Sequence, residues 1–169
     1  MLVHASEVIK TVVYQDKIEF LNSSSKGKRR PKILLIDDDI DMGGIIKNTL
    51  KFAYNCRVDI ASDPFEAMNT MVENFYDLII LDWNLPLLNG AQTLKELEKG
   101  FYFDPSLPVQ WDRQRVPVVV FSASDKIQCS LARSKHFDCA GFVSKRQTLS
   151  NIIASFAPYI LVNIQESAS

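Results

Sequence analysis

From Lys32 onward, short apolar runs alternate with stretches whose apolar residues recur at helical spacing, the pattern that builds a parallel sheet covered by helices. Ile33-Leu34-Leu35-Ile36 is continuous rather than alternating, as expected of a central strand buried on both faces, and it stops at Asp37-Asp38-Asp39. Met42, Ile45, Ile46, Thr49, Leu50 and Ala53 then form one helical stripe despite Gly43-Gly44, each glycine costing about 1 kcal/mol relative to alanine. A second strand is expected over Arg57 to Ala61. It leads into a helix with Asp63 at the N-cap, Pro64 at the first helical position, Glu66 closing a capping box, and Ala67, Met68, Met71 and Val72 inward.

Leu78-Ile79-Ile80-Leu81 is a third buried strand, again ending in a carboxylate, Asp82. A loop with Pro86 and Gly90 follows, then a helix from about Ala91 to Lys99. Val118-Val119-Val120-Phe121 predicts a fourth strand ending at Ser122, and a weakly amphipathic helix is expected from Asp125 to Phe137. Gly141-Phe142-Val143 predicts a short fifth strand ending near Lys145, and Leu149, Ile152, Ile153, Phe156 and Ile160 mark a final helix. The fold class is α/β, a doubly wound five-stranded parallel sheet with helices on both faces. Right-handed crossovers then bring the C-terminal ends of all strands to one edge, where ligands of such folds bind.

Asp37 and Asp38, Asp82, Ser122 and Lys145 all fall at that edge. Taken singly, an Asp or Ser at a strand end is more often the cap of the next helix. Together, several carboxylates in one place repel one another and raise their own pKa values unless a cation shares the site. Magnesium suits such a set because it prefers carboxylate, carbonyl and water oxygens and takes up phosphate oxygens. A carboxylate beside it is a nucleophile for phosphorus, with Lys145 supplying charge and Ser122 a hydroxyl.

Ile33 to Asp39, Leu81-Asp82-Trp83-Asn84-Leu85-Pro86-Leu87-Leu88-Asn89-Gly90, Phe121-Ser122-Ala123 and Gly141-Phe142-Val143-Ser144-Lys145 resemble the receiver domain of two-component response regulators, in order and spacing. The resemblance implies a flavodoxin-like strand order 2-1-3-4-5. It makes Asp82 the phosphoacceptor of a sensor histidine kinase or histidine phosphotransfer protein. It implies Mg2+ held by Asp37, Asp38, Asp82 and the backbone carbonyl of Asn84, with Ser122 and Lys145 on the phosphoryl group. Ser122 and Phe142 become the switch pair, and Asn84 and Ser124 occupy the positions that tune hydrolysis. The expected activity is limited to the domain's own phosphorylation and dephosphorylation, with output through contacts to an unspecified protein target.

Two other readings fit parts of the pattern. A receiver-fold binding module that works without phosphorylation is one. A haloacid-dehalogenase-like phosphatase is the other, but it needs an acidic pair after the lysine, and nothing acidic follows Lys145 until Glu166. The chain also departs from the family, which follows its lysine with a cis-proline where this chain has Arg146, so the loop is either strained or rebuilt as trans.

Composition narrows the classes. The 169 residues carry a net charge of -1, with 23% charged and 47% apolar, which suits one domain and argues against a general nucleic-acid binder. No apolar run approaches the ~20 residues of a membrane span, and no signal peptide is evident, so a cytoplasmic location is expected. Three cysteines without CxxC spacing read as reduced, buried thiols, and His4 and His136 as isolated surface or partly buried residues. Residues 1–31 are expected to hold a small hairpin, around Thr11-Val12-Val13-Tyr14 and Lys17 to Leu21, and a basic tether. The hairpin must lean on the receiver, a partner or a second copy in a homodimer. The receiver is expected over 32–162, with a loop over 100–115 whose Phe101, Tyr102, Phe103 and Trp111 form a lid or a docking site, and 163–169 as a tail without an effector domain.

Overall fold

The computed structural model describes residues 30–103, 115–124 and 134–166; the expected hairpin, the basic tether, residues 104–114 and His4 lie outside them. Five strands, β1 (Lys32–Ile36), β2 (Arg57–Ala61), β3 (Leu78–Asp82), β4 (Val116–Ser122) and β5 (Phe137–Ser144), form one parallel sheet in the order β2-β1-β3-β4-β5. Four helices are described: α1 (Ile40–Tyr54), α2 (Pro64–Glu73), α3 (Gly90–Phe103) and α4 (Leu149–Glu166).

The continuous apolar runs are explained by the two cores. Ile33, Leu35, Ile80, Val119 and Phe121 pack on one face with Ile46, Leu50, Ile153 and Phe156 of α1 and α4. Leu34, Ile36, Ile79, Leu81 and Val118 pack on the other with Ala67, Met71, Leu94 and Leu97 of α2 and α3. Every residue of β1 from Ile33 to Ile36 is fully buried, so polar alternation has no place there. Pro117 is tolerated in β4 because pairing with β3 begins only at Val118.

The helix starts are set by carboxylates. Asp39 Oδ1 accepts from Met42 N at 2.9 Å, and Asp63 Oδ1 accepts from Phe65 N and Glu66 N, both at 2.8 Å. Glu66 reaches one residue further back than a capping box requires, accepting from the backbone N and the hydroxyl of Ser62 at 2.7 Å each. On α1, Gly43 rather than Ile45 faces the sheet: Ile45 is 49% exposed, while a Cβ on Gly43 would meet Ile60 and Leu35 at ordinary van der Waals distances. A Cβ on Gly44 would meet nothing within 4 Å. Gly44→Ala is therefore expected to stabilise the protein by about 0.5–1 kcal/mol through reduced backbone entropy, read as a higher urea midpoint at unchanged m-value.

Several element limits differ from the expectation. Helix α3 runs through Gly100 to Phe103, so the loop begins later than residue 100; a glycine costs too little to stop a helix by itself. Helix α4 continues to Glu166, past the expected end at 162, with Pro158 inside it and no glycine beyond. The helix expected over 125–137 lies mostly outside the described residues, but Ser134, Lys135 and His136 are not helical and Phe137 begins β5. That strand has eight residues instead of three. Buried Phe137 pairs with Val116, and Glu98 on α3 clamps the approach to it, accepting from Ser134 Oγ at 2.6 Å and Lys135 N at 2.9 Å. His136 is buried with Nδ1 3.1 Å from Glu98 Oε1, and these interactions hold the Glu98 carboxyl below the usual range although burial opposes them. Cys56 is a free, buried thiol pushed up to about 11 by desolvation, whereas Cys139 is disulfide-bonded, contrary to the expectation of three reduced thiols. Among the described residues all peptide bonds are trans, Lys145-Arg146 included.

Candidate functional site

Parallel pairing places the ends of β1, β3, β4 and β5 side by side. Ile36 is level with Leu81, Asp82 with Phe121, and Ser122 with Ser144. Two of the exits from the sheet are then fixed by backbone hydrogen bonds: Asp37 N donates to Ala61 O at 3.0 Å, and Lys145 N donates to Ser122 O at 2.8 Å. The trans turn at Lys145-Arg146 therefore still delivers the lysine to the pocket.

Lys145 Nζ lies 2.7 Å from Asp37 Oδ2 and 2.8 Å from Asp82 Oδ2. It also stands 5.1 Å above the ring centroid of Phe121, which meets Phe156 edge to face at 5.7 Å. Asp37 is fully buried, Asp82 is 6% exposed, and Asp38 is open to solvent. The remaining oxygens are held by the backbone: Asp37 Oδ1 accepts from Asp39 N at 3.1 Å and Asp82 Oδ1 from Asn84 N at 3.0 Å. Burial pushes the Asp37 carboxyl up, with Asp82 adding to the rise and Lys145 and Asp39 N opposing it. Burial by itself would pull the Lys145 ammonium down, but hydrogen bonds and charge from Asp37 and Asp82 leave it above its ordinary value.

One lysine does not neutralise three carboxylates. Asp37, Asp38 and Asp82 each offer an oxygen, all within 4.8 Å of one another. Asp37 Oδ2 is buried, and the partner it meets is the Lys145 ammonium, which it shares with Asp82. A buried carboxylate that shares a single ammonium with a second carboxylate, beside a third, is the donor set a hard divalent cation takes.

Ser122, fully buried, accepts at Oγ from Asn84 Nδ2 at 3.1 Å and from Ser124 N at 3.2 Å. The sequence-predicted residues Asp37, Asp38, Asp82, Asn84, Ser122 and Lys145 thus come together at one sheet edge. Phe142, 41% exposed on β5, stands apart from this hydrogen-bond network. Asp39 belongs to the cap of α1. Two features were not legible beforehand: the Asn84 side chain on Ser122, which are 38 residues apart, and the close seat of Trp83 on Gly90, where an added Cβ would lie 2.4 Å from the indole.

The all-parallel 2-1-3-4-5 sheet is a flavodoxin-like fold, the one that CheY4 of Vibrio cholerae shares at 19% identity and a TM-score of 0.55. Residues 33–157 match the family model of the response regulator receiver domain, and the chain belongs to that family. Over 68 residues it is 38% identical to the transcriptional regulatory protein CpxR homolog of Haemophilus influenzae, a match covering 40% of this chain and 29% of that protein. Over 69 residues it is 38% identical to the autoinducer 2 sensor kinase/phosphatase LuxQ of Vibrio parahaemolyticus, covering 41% of this chain and 8% of that protein. The chain thus spans less than a third of the length of these curated relatives, one a transcriptional regulatory protein and the other a sensor kinase/phosphatase. Among solved structures, the receiver domain of HemR from Leptospira biflexa superposes with a TM-score of 0.58 at 26% identity, over 78% of this chain and 94% of that one. A CheY-like receiver from Methylobacillus flagellatus gives 0.60 at 21% identity, over 80% and 99%, a likeness of fold. Among the described residues no helix is long and apolar enough to cross a membrane.

Proposed function

We propose that this receiver accepts a phosphoryl group on Asp82 from the phosphohistidine of a sensor histidine kinase or histidine phosphotransfer protein. The observation that supports this most is the incompletely neutralised acidic pocket, in which Lys145 alone bridges Asp37 and Asp82 while Asp38 offers a third carboxylate within 4.8 Å. Asp37, Asp38, Asp82 and the backbone carbonyl of Asn84 would hold Mg2+. When bound, that ion supplies charge neutralisation and a template for phosphoryl oxygens.

An oxygen of Asp82 attacks phosphorus in line. The new P–O bond forms as the P–N bond breaks, and the electron pair returns to the imidazole nitrogen of the donor. Lys145 stays protonated and moves its charge from the free carboxylate to the phosphoryl oxygens, and the Ser122 hydroxyl donates to one of them. The later hydrolysis receives no general acid or base from Asn84 or Ser124, both neutral. Catalysis is confined to the domain's own phosphorylation and dephosphorylation. The signal leaves through protein contacts in the cytoplasm, as the phosphoryl interactions bias a two-state equilibrium involving Ser122 and Phe142.

Incubating the native protein with an acyl-phosphate donor and magnesium, followed by intact mass measurement, tests the reading. One phosphate adduct is expected on the wild type and none on Asp82→Asn. A wild type that stays unmodified would instead support a receiver-fold module working without phosphorylation.

A further inference from the structure

The Ser122 hydroxyl is already fully committed as an acceptor. A hydroxyl oxygen has two lone pairs and one O–H, and here the two lone pairs meet Asn84 Nδ2 at 3.1 Å and Ser124 N at 3.2 Å. What remains is the single O–H, on a fully buried side chain where an unspent donor is costly. Asn84 also donates its backbone N–H to Asp82 Oδ1 at 3.0 Å. One residue of the loop after β3 therefore ties the phosphoacceptor carboxylate to the hydroxyl on β4.

We propose that the Asn84 carboxamide is a positioning group that makes Ser122 a donor-only hydroxyl, aimed at the oxygens of a phosphoryl group on Asp82. The inference rests on Asp82 being the phosphoacceptor. Phosphoryl oxygens are acceptors, so a hydroxyl whose lone pairs are occupied and whose O–H is free matches them. Without the carboxamide, one lone pair opens and the side chain gains rotamers that take the O–H elsewhere. Asn84 is exposed, so its truncation leaves the core intact, and its backbone groups persist in every variant.

Beryllofluoride, an acyl-phosphate mimic, is titrated in the presence of magnesium against the wild type, Asn84→Ala, Ser122→Ala and the double variant, with binding measured calorimetrically. Asn84→Ala is expected to weaken binding by about three- to tenfold, the range of one hydrogen bond. In the Ser122→Ala background the same change should have no further effect. An equal loss in both backgrounds, or no loss in either, overturns the proposal, because a merely structural role of Asn84 would not depend on the Ser122 hydroxyl.

A second measurement needs no phosphate mimic. In the free protein the Hα–Hβ couplings of Ser122 should report one rotamer, and Asn84→Ala should average them; unchanged couplings in the variant refute the positioning role. If the wild type binds no beryllofluoride, the phosphoacceptor reading fails, and the couplings still decide whether Asn84 holds the hydroxyl.

Discussion

Lys145→Ala is expected to destabilise the metal-free protein by about 3–5 kcal/mol at pH 7.5, the range for stripping one partner from a buried ion pair. The Lys145 side chain is 17% exposed between a fully buried Asp37 and an Asp82 whose side chain is 8% exposed, so solvent does little to replace its charge. The pH dependence has a definite sign. The Lys145 value is raised, so its contribution is complete below the ordinary lysine pKa and is lost only as pH rises through the folded value; the neutral range is unaffected. Asp37 is also raised, mainly by burial, so what it contributes is present below its ordinary pKa and lost as pH rises through its folded value. Removing the lysine takes away the two largest influences holding Asp37 down, so in the variant Asp37 takes up a proton at higher pH.

The difference between variant and wild type should therefore shrink as pH falls from 7.5 towards 5. It should shrink as well when magnesium is added at pH 7.5, since a dication compensates the same carboxylates. Urea denaturation at the two pH values, with and without the ion, measures this. A deficit indifferent to both would mean that Lys145 matters through the seat of its ammonium over the Phe121 ring rather than through its pairing with the carboxylates.

The parts of this molecule that sequence reading reached are those in which each residue answers to its own neighbours in the chain. The runs at Ile33 and Leu78 had to be strands buried on both faces, and polar residues directly after such strands had to meet at one edge. Asp63-Pro64 announced a helix start by local chemistry alone.

What escaped depended on partners distant in sequence or on the weakness of a local signal. Strand β5 lies at the sheet edge, where Asp138, Ala140 and Phe142 face out and the apolar run is diluted to alternation. Its start is fixed by Glu98 from another element and by Arg115, whose Nη1 reaches Asp138 at 2.6 Å. His136, read as isolated, is buried against that same Glu98. Asn84 was legible as a loop residue with a useful carbonyl, while its side chain acquired a role only through a serine on the neighbouring strand.

Glycines show the same limit most sharply, because their sequence gives no hint of what surrounds them. Gly44 faces open space, and alanine there should help; Gly90 has the opposite sign. A Cβ on Gly90 would lie 2.4 Å from Trp83 Cε3 and 3.1 Å from Trp83 Cα, and Gly90 N also donates to Trp83 O at 2.9 Å. The indole can swing away, but the crowding against the Trp83 backbone is relieved only if the loop itself moves. Gly90→Ala is thus expected to cost about 1–3 kcal/mol, the usual range for overpacking. Trp83 directly follows Asp82, so the shift propagates into the pocket, and displacement of about 1 Å is enough to cost up to ~100-fold in a positioned reaction. The uptake of phosphate from an acyl-phosphate donor should fall with stability in Gly90→Ala, whereas Gly44→Ala should raise stability and leave uptake unchanged. A Gly90→Ala protein as stable as the wild type, with unaltered tryptophan fluorescence, would mean that the seat of Trp83 on Gly90 places no demand on the loop.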